Sequence, residues 1–201
     1  MRRLRAECAW KRGQTHRSLA RYLLEETHEA LEAIDTGDST GDWAHLREEL
    51  GDLLLQVYFH AVIAEETGEF TLDDVASDVT AKMRRRNPHV FAPDDPQSAA
   101  GGTPAEINEA WEAIKATEKQ RDSVTDGIAP TLPALLYADK VLDRLSRAGG
   151  GSSTESDDHR VDSAPPTGTD LGDRLLALVA EARAGGIDPE QALRDAVRRL
   201  L

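Results

Sequence analysis

Apolar positions recur at helical steps from the start of the chain. Leu19, Tyr22, Leu23, Ala30 and Ala33 fall on one side of a helical wheel, which predicts an amphipathic helix over 18–35. Thr15 and Ser18 offer caps at its start, and Thr36-Gly37-Asp38-Ser39-Thr40-Gly41 predicts a turn-rich loop at its end. A second stripe, Leu46, Leu53, Gln56, His60 and Ala64, predicts a helix from about Asp42 to Glu66 that stops at Gly68. The short connection implies an antiparallel pair. His60, on this apolar stripe, reads as a hydrogen-bonded core residue rather than a ligand.

Both stripes carry acid. At ~100° per residue, Glu26 and Glu29 lie within roughly 60° of each other on the apolar side of the first helix. Glu49 and Asp52 share the stripe of the second. Either pair alone reads as an ordinary solvated helix face, because charged residues are mostly exposed. Two pairs on the two apolar stripes of one hairpin are different: buried unpaired carboxylates are costly and repel one another. Four oxygen-only ligands suit a hard divalent cation, and Mg²⁺ is satisfied by a few carboxylates, retained waters and substrate phosphates. The pattern predicts a Mg²⁺ site, with Mn²⁺ as a substitute.

Downstream, Thr71-Leu72-Asp73-Asp74 predicts a capped helix start and Asn87-Pro88 its stop. Leu72, Val75 and Val79 form its expected inward stripe, which continues onto Lys82, Met83 and Arg86, with Arg85 beside them. Cations in a last helical turn often only answer the helix dipole, yet basic side chains on a core-facing stripe can also grip phosphate. Thr103-Pro104-Ala105-Glu106 combines an N-cap, a proline at the first helical position and a capping-box glutamate. The helix that follows carries Ile107, Trp111, Ile114 and Lys115 to about Arg121. After Pro130 and Pro133, Leu135, Leu136, Val141, Leu142 and Leu145 predict another amphipathic helix. Trp10, ahead of the first long helix, reads equally as a stacking surface for a base or a lid on the core.

The chain is all-α by pattern, and its composition agrees: aromatic content is 4% and charged content 30% of 201 residues. The net charge of −13 argues against nucleic acid or an anionic membrane as the main partner. A single cysteine, Cys8, allows no internal disulfide and fits a reducing compartment. Met1-Arg2-Arg3-Leu4-Arg5 has no apolar run behind it, and no stretch approaches a membrane span. The expectation is a cytoplasmic protein. Residues 148–169 shift to Gly, Ser, Thr, Asp and Pro and predict a flexible linker. This divides the chain into a domain at 1–147, a linker at 148–169 and a helical tail at 170–201.

The motif Glu25-Glu26-x-x-Glu29 followed by Glu49-x-x-Asp52 resembles the signature of the MazG-type all-α nucleoside triphosphate pyrophosphohydrolases. The likeness extends from Cys8 to about Leu145. Cys8, Trp10, Gln14 and Thr15 match the family's opening segment, from which Ala9 and Lys11 depart. The run from Lys82 to Phe91 resembles the family segment after the second helix. The resemblance implies an enzyme that converts a nucleoside triphosphate to the monophosphate and pyrophosphate, with a house-cleaning role. It implies Glu26, Glu29, Glu49 and Asp52 as Mg²⁺ ligands, Lys82, Arg85 and Arg86 as triphosphate-holding residues, and Trp111 beside the nucleotide, the alternative being that Trp111 is simply the packing anchor of its helix. Glu25 is the candidate to orient or deprotonate the attacking water or to hold a second metal. Asp170-Leu171-Gly172-Asp173 echoes Glu49-Leu50-Gly51-Asp52, so the tail resembles part of a degenerate second copy. A homodimer completing a helical bundle is expected. The alternative is a nucleotide-binding or regulatory module without turnover.

Overall fold

The computed structural model describes residues 1–93, 102–118, 122–147 and 168–200, and every regular element among them is a helix. The chain divides into two compact units, Met1–Glu118 and Lys119–Leu201. The sequence placed its change of character later, at 148–169. Of that predicted linker, 148–167 lie outside the described residues, and Gly168 already opens a helix.

The first unit begins with two short helices, α1 (Arg2–Glu7) and α2 (Ala9–Arg12). Two long ones follow, α3 (His16–Thr40) and α4 (Ala44–Glu66). It ends with α5 (Leu72–Arg86), the single turn α6 (Pro88–Phe91) and α7 (Pro104–Thr117). Capping boxes open α3 (Thr15 with Ser18), α5 (Thr71 with Asp74) and α7 (Thr103 with Glu106). Each satisfies two backbone donors that a helix start leaves unpaired.

One boundary differs from expectation. The segment expected to end the first helix at Asp35 continues it to Thr40. Gly37 is buried, and a Cβ there would lie 2.4 Å from Cε3 of Trp43. It therefore serves close packing of the returning chain, while Gly41, at φ 78°, ends the helix in the left-handed conformation. The hydroxyls of Ser39 and Thr40 donate to the Thr36 carbonyl and keep this last turn wound.

Helices α3 and α4 meet where His16 reaches His60, Glu26 reaches Gln56 and Gly37 reaches Trp43. Numbers rise on one helix as they fall on the other, so the two run in opposite directions. Ala30 and Ala33 are buried on α3, and Phe59, Ala61, Val62, Ile63 and Ala64 on α4. Leu19, Phe59 and Ile63 form the core cluster, with Met1 and Tyr22 packed against it. Burying side chains such as Leu19 and Phe59 contributes about 1.5–3 kcal/mol each. Buried Arg5 anchors the N-terminal helices: it pairs with Glu66 and donates to the carbonyls of Lys11, at 2.7 Å, and Gln14, at 2.8 Å.

The expected inward stripe on α5 is only partly covered by the described residues. Val75, Val79 and Met83 are exposed, as are Leu50, Leu54, Leu55, Val57 and Tyr58 on α4. One copy of this hairpin has more apolar surface than it can bury.

The second unit contains α8 (Ala134–Arg147), α9 (Gly168–Ala184) and α10 (Pro189–Arg198). Arg183 on α9 pairs with Asp139 and Asp143 on α8. Asp188 caps α10 by accepting from the backbone N–H groups of Glu190 and Gln191. Among the described residues no helix is long and apolar enough to cross a membrane.

Candidate functional site

The opposed helices bring acidic residues together from positions 26 to 52. Glu26 on α3 and Glu49 and Asp52 on α4 each offer one oxygen, all within 4.8 Å of one another. Glu49 is buried, with 7% exposure, and Glu26 and Asp52 are partly buried. Burial, then Asp52 and Glu29, push the Glu26 carboxyl above its usual range. An acid held this way prefers a proton or a cation to bare charge. Glu29 interacts directly with Glu26 and is itself exposed. Glu25 is exposed and stands outside the three-carboxylate cluster. The donor set fits a hard divalent cation: it is oxygen-only, convergent and partly desolvated.

Two neighbours were not visible as site residues in the sequence. His45 Nε2 lies 2.8 Å from Glu49 Oε1, one turn earlier on α4. The Gln56 side-chain amide donates to Glu26 Oε1 at 3.5 Å. Their i,i+4 spacing from Glu49 and Asp52 was the available signal. Farther along the same groove His60 finds its partner in His16, Nδ1 to Nδ1 at 2.7 Å with the rings stacked. Burial first, then His16, hold the His60 imidazole below its usual pKa.

The basic residues form a second assembly. Arg85 pairs with Glu118 at 2.7 Å, and Arg86 grips the same carboxylate through Nε, at 3.1 and 3.2 Å, and through Nη2. The Arg86 guanidinium lies 5.0 Å from the centre of the Trp111 ring, and Lys115 Nζ lies 4.8 Å from it. Trp111 is thus contacted by two cations. Glu118, held by both arginines, has its pKa lowered to about 2, the hydrogen bond from Arg86 being the largest cause. Lys82 is exposed. Trp10 is 53% exposed and meets Tyr22 edge-to-face with ring centres 6.2 Å apart, so it lies on a core-packed tyrosine rather than within the core.

The family model for the MazG nucleotide pyrophosphohydrolase domain matches residues 14–91. A Thermotoga maritima protein, nucleoside triphosphate pyrophosphohydrolase/pyrophosphatase MazG, is 38% identical over 207 residues, 96% of this chain and 76% of that one. The chain belongs to the MazG family. The Escherichia coli K12 nucleoside triphosphate pyrophosphohydrolase is 36% identical over 209 residues, covering 94% of this chain and 76% of its own. The Mycobacterium tuberculosis protein of the same name is 46% identical over 154 residues, 74% of this chain and 43% of that protein. The MazG match contains the carboxylate cluster and the basic turn, Lys82 to Arg86, whereas Trp111, Glu118 and the second unit lie beyond it.

Proposed function

We propose that this chain is a Mg²⁺-dependent nucleoside triphosphate pyrophosphohydrolase, releasing a nucleoside monophosphate and pyrophosphate in nucleotide-pool house-cleaning. The observation that carries this reading is the convergence of Glu26, Glu49 and Asp52 across the α3–α4 hairpin. The names of the relatives supply the reaction class.

Glu26, Glu29, Glu49 and Asp52 would hold Mg²⁺, or Mn²⁺ in its place. Bound there, the ion polarises phosphoryl oxygens and neutralises charge that develops on them. Arg85 and Arg86 already clasp a two-oxygen anion, Glu118, and the same forks suit phosphate oxygens. With Lys82 they would orient the triphosphate for in-line attack. Glu25, exposed on the turn that carries Glu26, would orient a water and take its proton as the water oxygen bonds to phosphorus and the α–β bridging bond breaks. Trp111 and Trp10 are the surfaces for the nucleoside. The uncovered apolar faces of α4 and α5 fit a second copy of the chain, and we assign them to a homodimer. Helices α9 and α10 are read as the remnant of a second repeat.

The test is pyrophosphate release from a panel of ordinary and modified nucleoside triphosphates, with Mg²⁺ and with chelator. Glu26→Ala and Asp52→Ala are expected to abolish release while circular dichroism stays helical. Full activity in both variants refutes the assignment. Nucleotide affinity without pyrophosphate identifies a regulatory module instead.

A further inference from the structure

Gln56 is more deeply buried than any carboxylate of the cluster and belongs to no ligand set. It follows Asp52 by four residues on α4, so its carboxamide stands one turn along the face that carries the site. Its exposure is 5%, against 7% for Glu49. The amide Nε2 donates to Glu26 Oε1. The amide oxygen, Oε1, is sealed from solvent and meets no donor among the described residues. Turning the amide over would set two acceptor oxygens against each other, so a charged Glu26 fixes its orientation.

Buried acceptors without partners are rare and destabilising. Here the orphan belongs to a buried side chain that also touches a cluster carboxylate. The donor it calls for is one that the described residues do not supply. A hydrated divalent cation carries such donors, because Mg²⁺ keeps several of its waters when bound. We infer that Gln56 is a positioning residue of the metal site, its amide N–H holding Glu26 toward Glu49 and Asp52 and its Oε1 accepting from a water of the bound cation. This inference rests on the metal reading given under Proposed function. It adds a hydrogen-bonding residue outside the coordinating set, of the kind that fixes ligand orientation at metal sites. A role in packing alone would be served as well by methionine, which has similar length and no amide.

The test uses the full chain without nucleotide. Gln56→Met and Gln56→Leu are titrated with Mn²⁺ by following the spectrum of the free ion, and their melting is measured in chelator. The expected result is a loss of Mn²⁺ affinity of about 10–100-fold, with melting in chelator unchanged or higher, since a buried unsatisfied amide has been removed. Unchanged Mn²⁺ affinity in a folded variant overturns the inference while leaving the metal site intact. Wild-type protein that binds no Mn²⁺ overturns the metal reading and this inference with it. If neither variant folds, Mg²⁺ titration of isotope-labelled wild-type protein decides. The Gln56 side-chain amide resonances must then move with saturation of the site, and resonances that stay still overturn the inference.

Discussion

Glu26→Gln should make the metal-free protein more stable while removing its metal response. Oxygens of Glu26, Glu49 and Asp52 approach within 4.8 Å of one another. Two unit charges at that separation repel by about 1 kcal/mol at the permittivity of water and about 3.5 kcal/mol at an effective value of ~20. Glu26 is partly buried, which places the repulsion between these limits. Glutamine keeps the shape of the side chain and an oxygen to accept from Gln56, so little else is lost. A net gain of about 1–2 kcal/mol is expected, or roughly 2–8 °C in melting temperature at 2–4 °C per kcal/mol for a chain of this size.

The pH dependence gives a sharper check. The folded Glu26 carboxyl titrates above its usual range because of burial, Asp52 and Glu29. A raised acid favours the folded state below its unfolded pKa, and that advantage is lost as pH rises through the folded value. In chelator the gap between variant and wild type should therefore close in acid and widen toward neutrality. Mg²⁺ should reverse the order. Ligand at a hundredfold excess over Kd stabilises wild type by about 2.7 kcal/mol, and the variant should not respond. A variant that melts at or below wild type in chelator at neutral pH, with no dependence on pH, refutes the reasoning. It would mean that the protein already compensates the Glu26 charge.

Much of this site was legible because helical spacing is a local rule. Residues three and four apart share a face, so spacing alone places Glu26 with Glu29 and Glu49 with Asp52, and the short connection sets the helices against each other. Gly37 was misleading because a glycine among turn-forming residues reads as a stop, whereas its role is to admit the Trp43 ring, a contact six residues away. The partner of Arg85 and Arg86 could not be read, since Glu118 lies more than thirty residues downstream and no periodicity links them. The apolar stripe on α5 was recognised, but its expected burial is only partial, since Val75, Val79 and Met83 stay exposed among the described residues. Sequence patterns show which face is apolar without showing which molecule covers it.

Gly37→Ala tests how the hairpin is held: alanine gains about 1 kcal/mol of helix propensity, but its Cβ would meet three Trp43 ring carbons at 2.4–2.8 Å, and overpacking costs about 1–3 kcal/mol. Chemical denaturation should show a net loss of up to about 2 kcal/mol, and a variant more stable than wild type would mean that the ring gives way freely. Glu118→Gln tests the basic clasp. With its folded pKa lowered to about 2 by Arg86 and Arg85, the carboxylate contributes stability above its unfolded pKa that is lost as pH falls toward 2. Wild type should therefore lose stability through this acid range, while the variant is less stable at neutral pH and flatter below it. The two arginines, relieved of a charged competitor, should also bind inorganic phosphate more tightly, seen as a larger phosphate-induced rise in melting temperature. An acid limb shared by both proteins would show that the clasp adds nothing to stability, and a phosphate response that shrinks in the variant would show that Glu118 ties helices together without standing in for an anion.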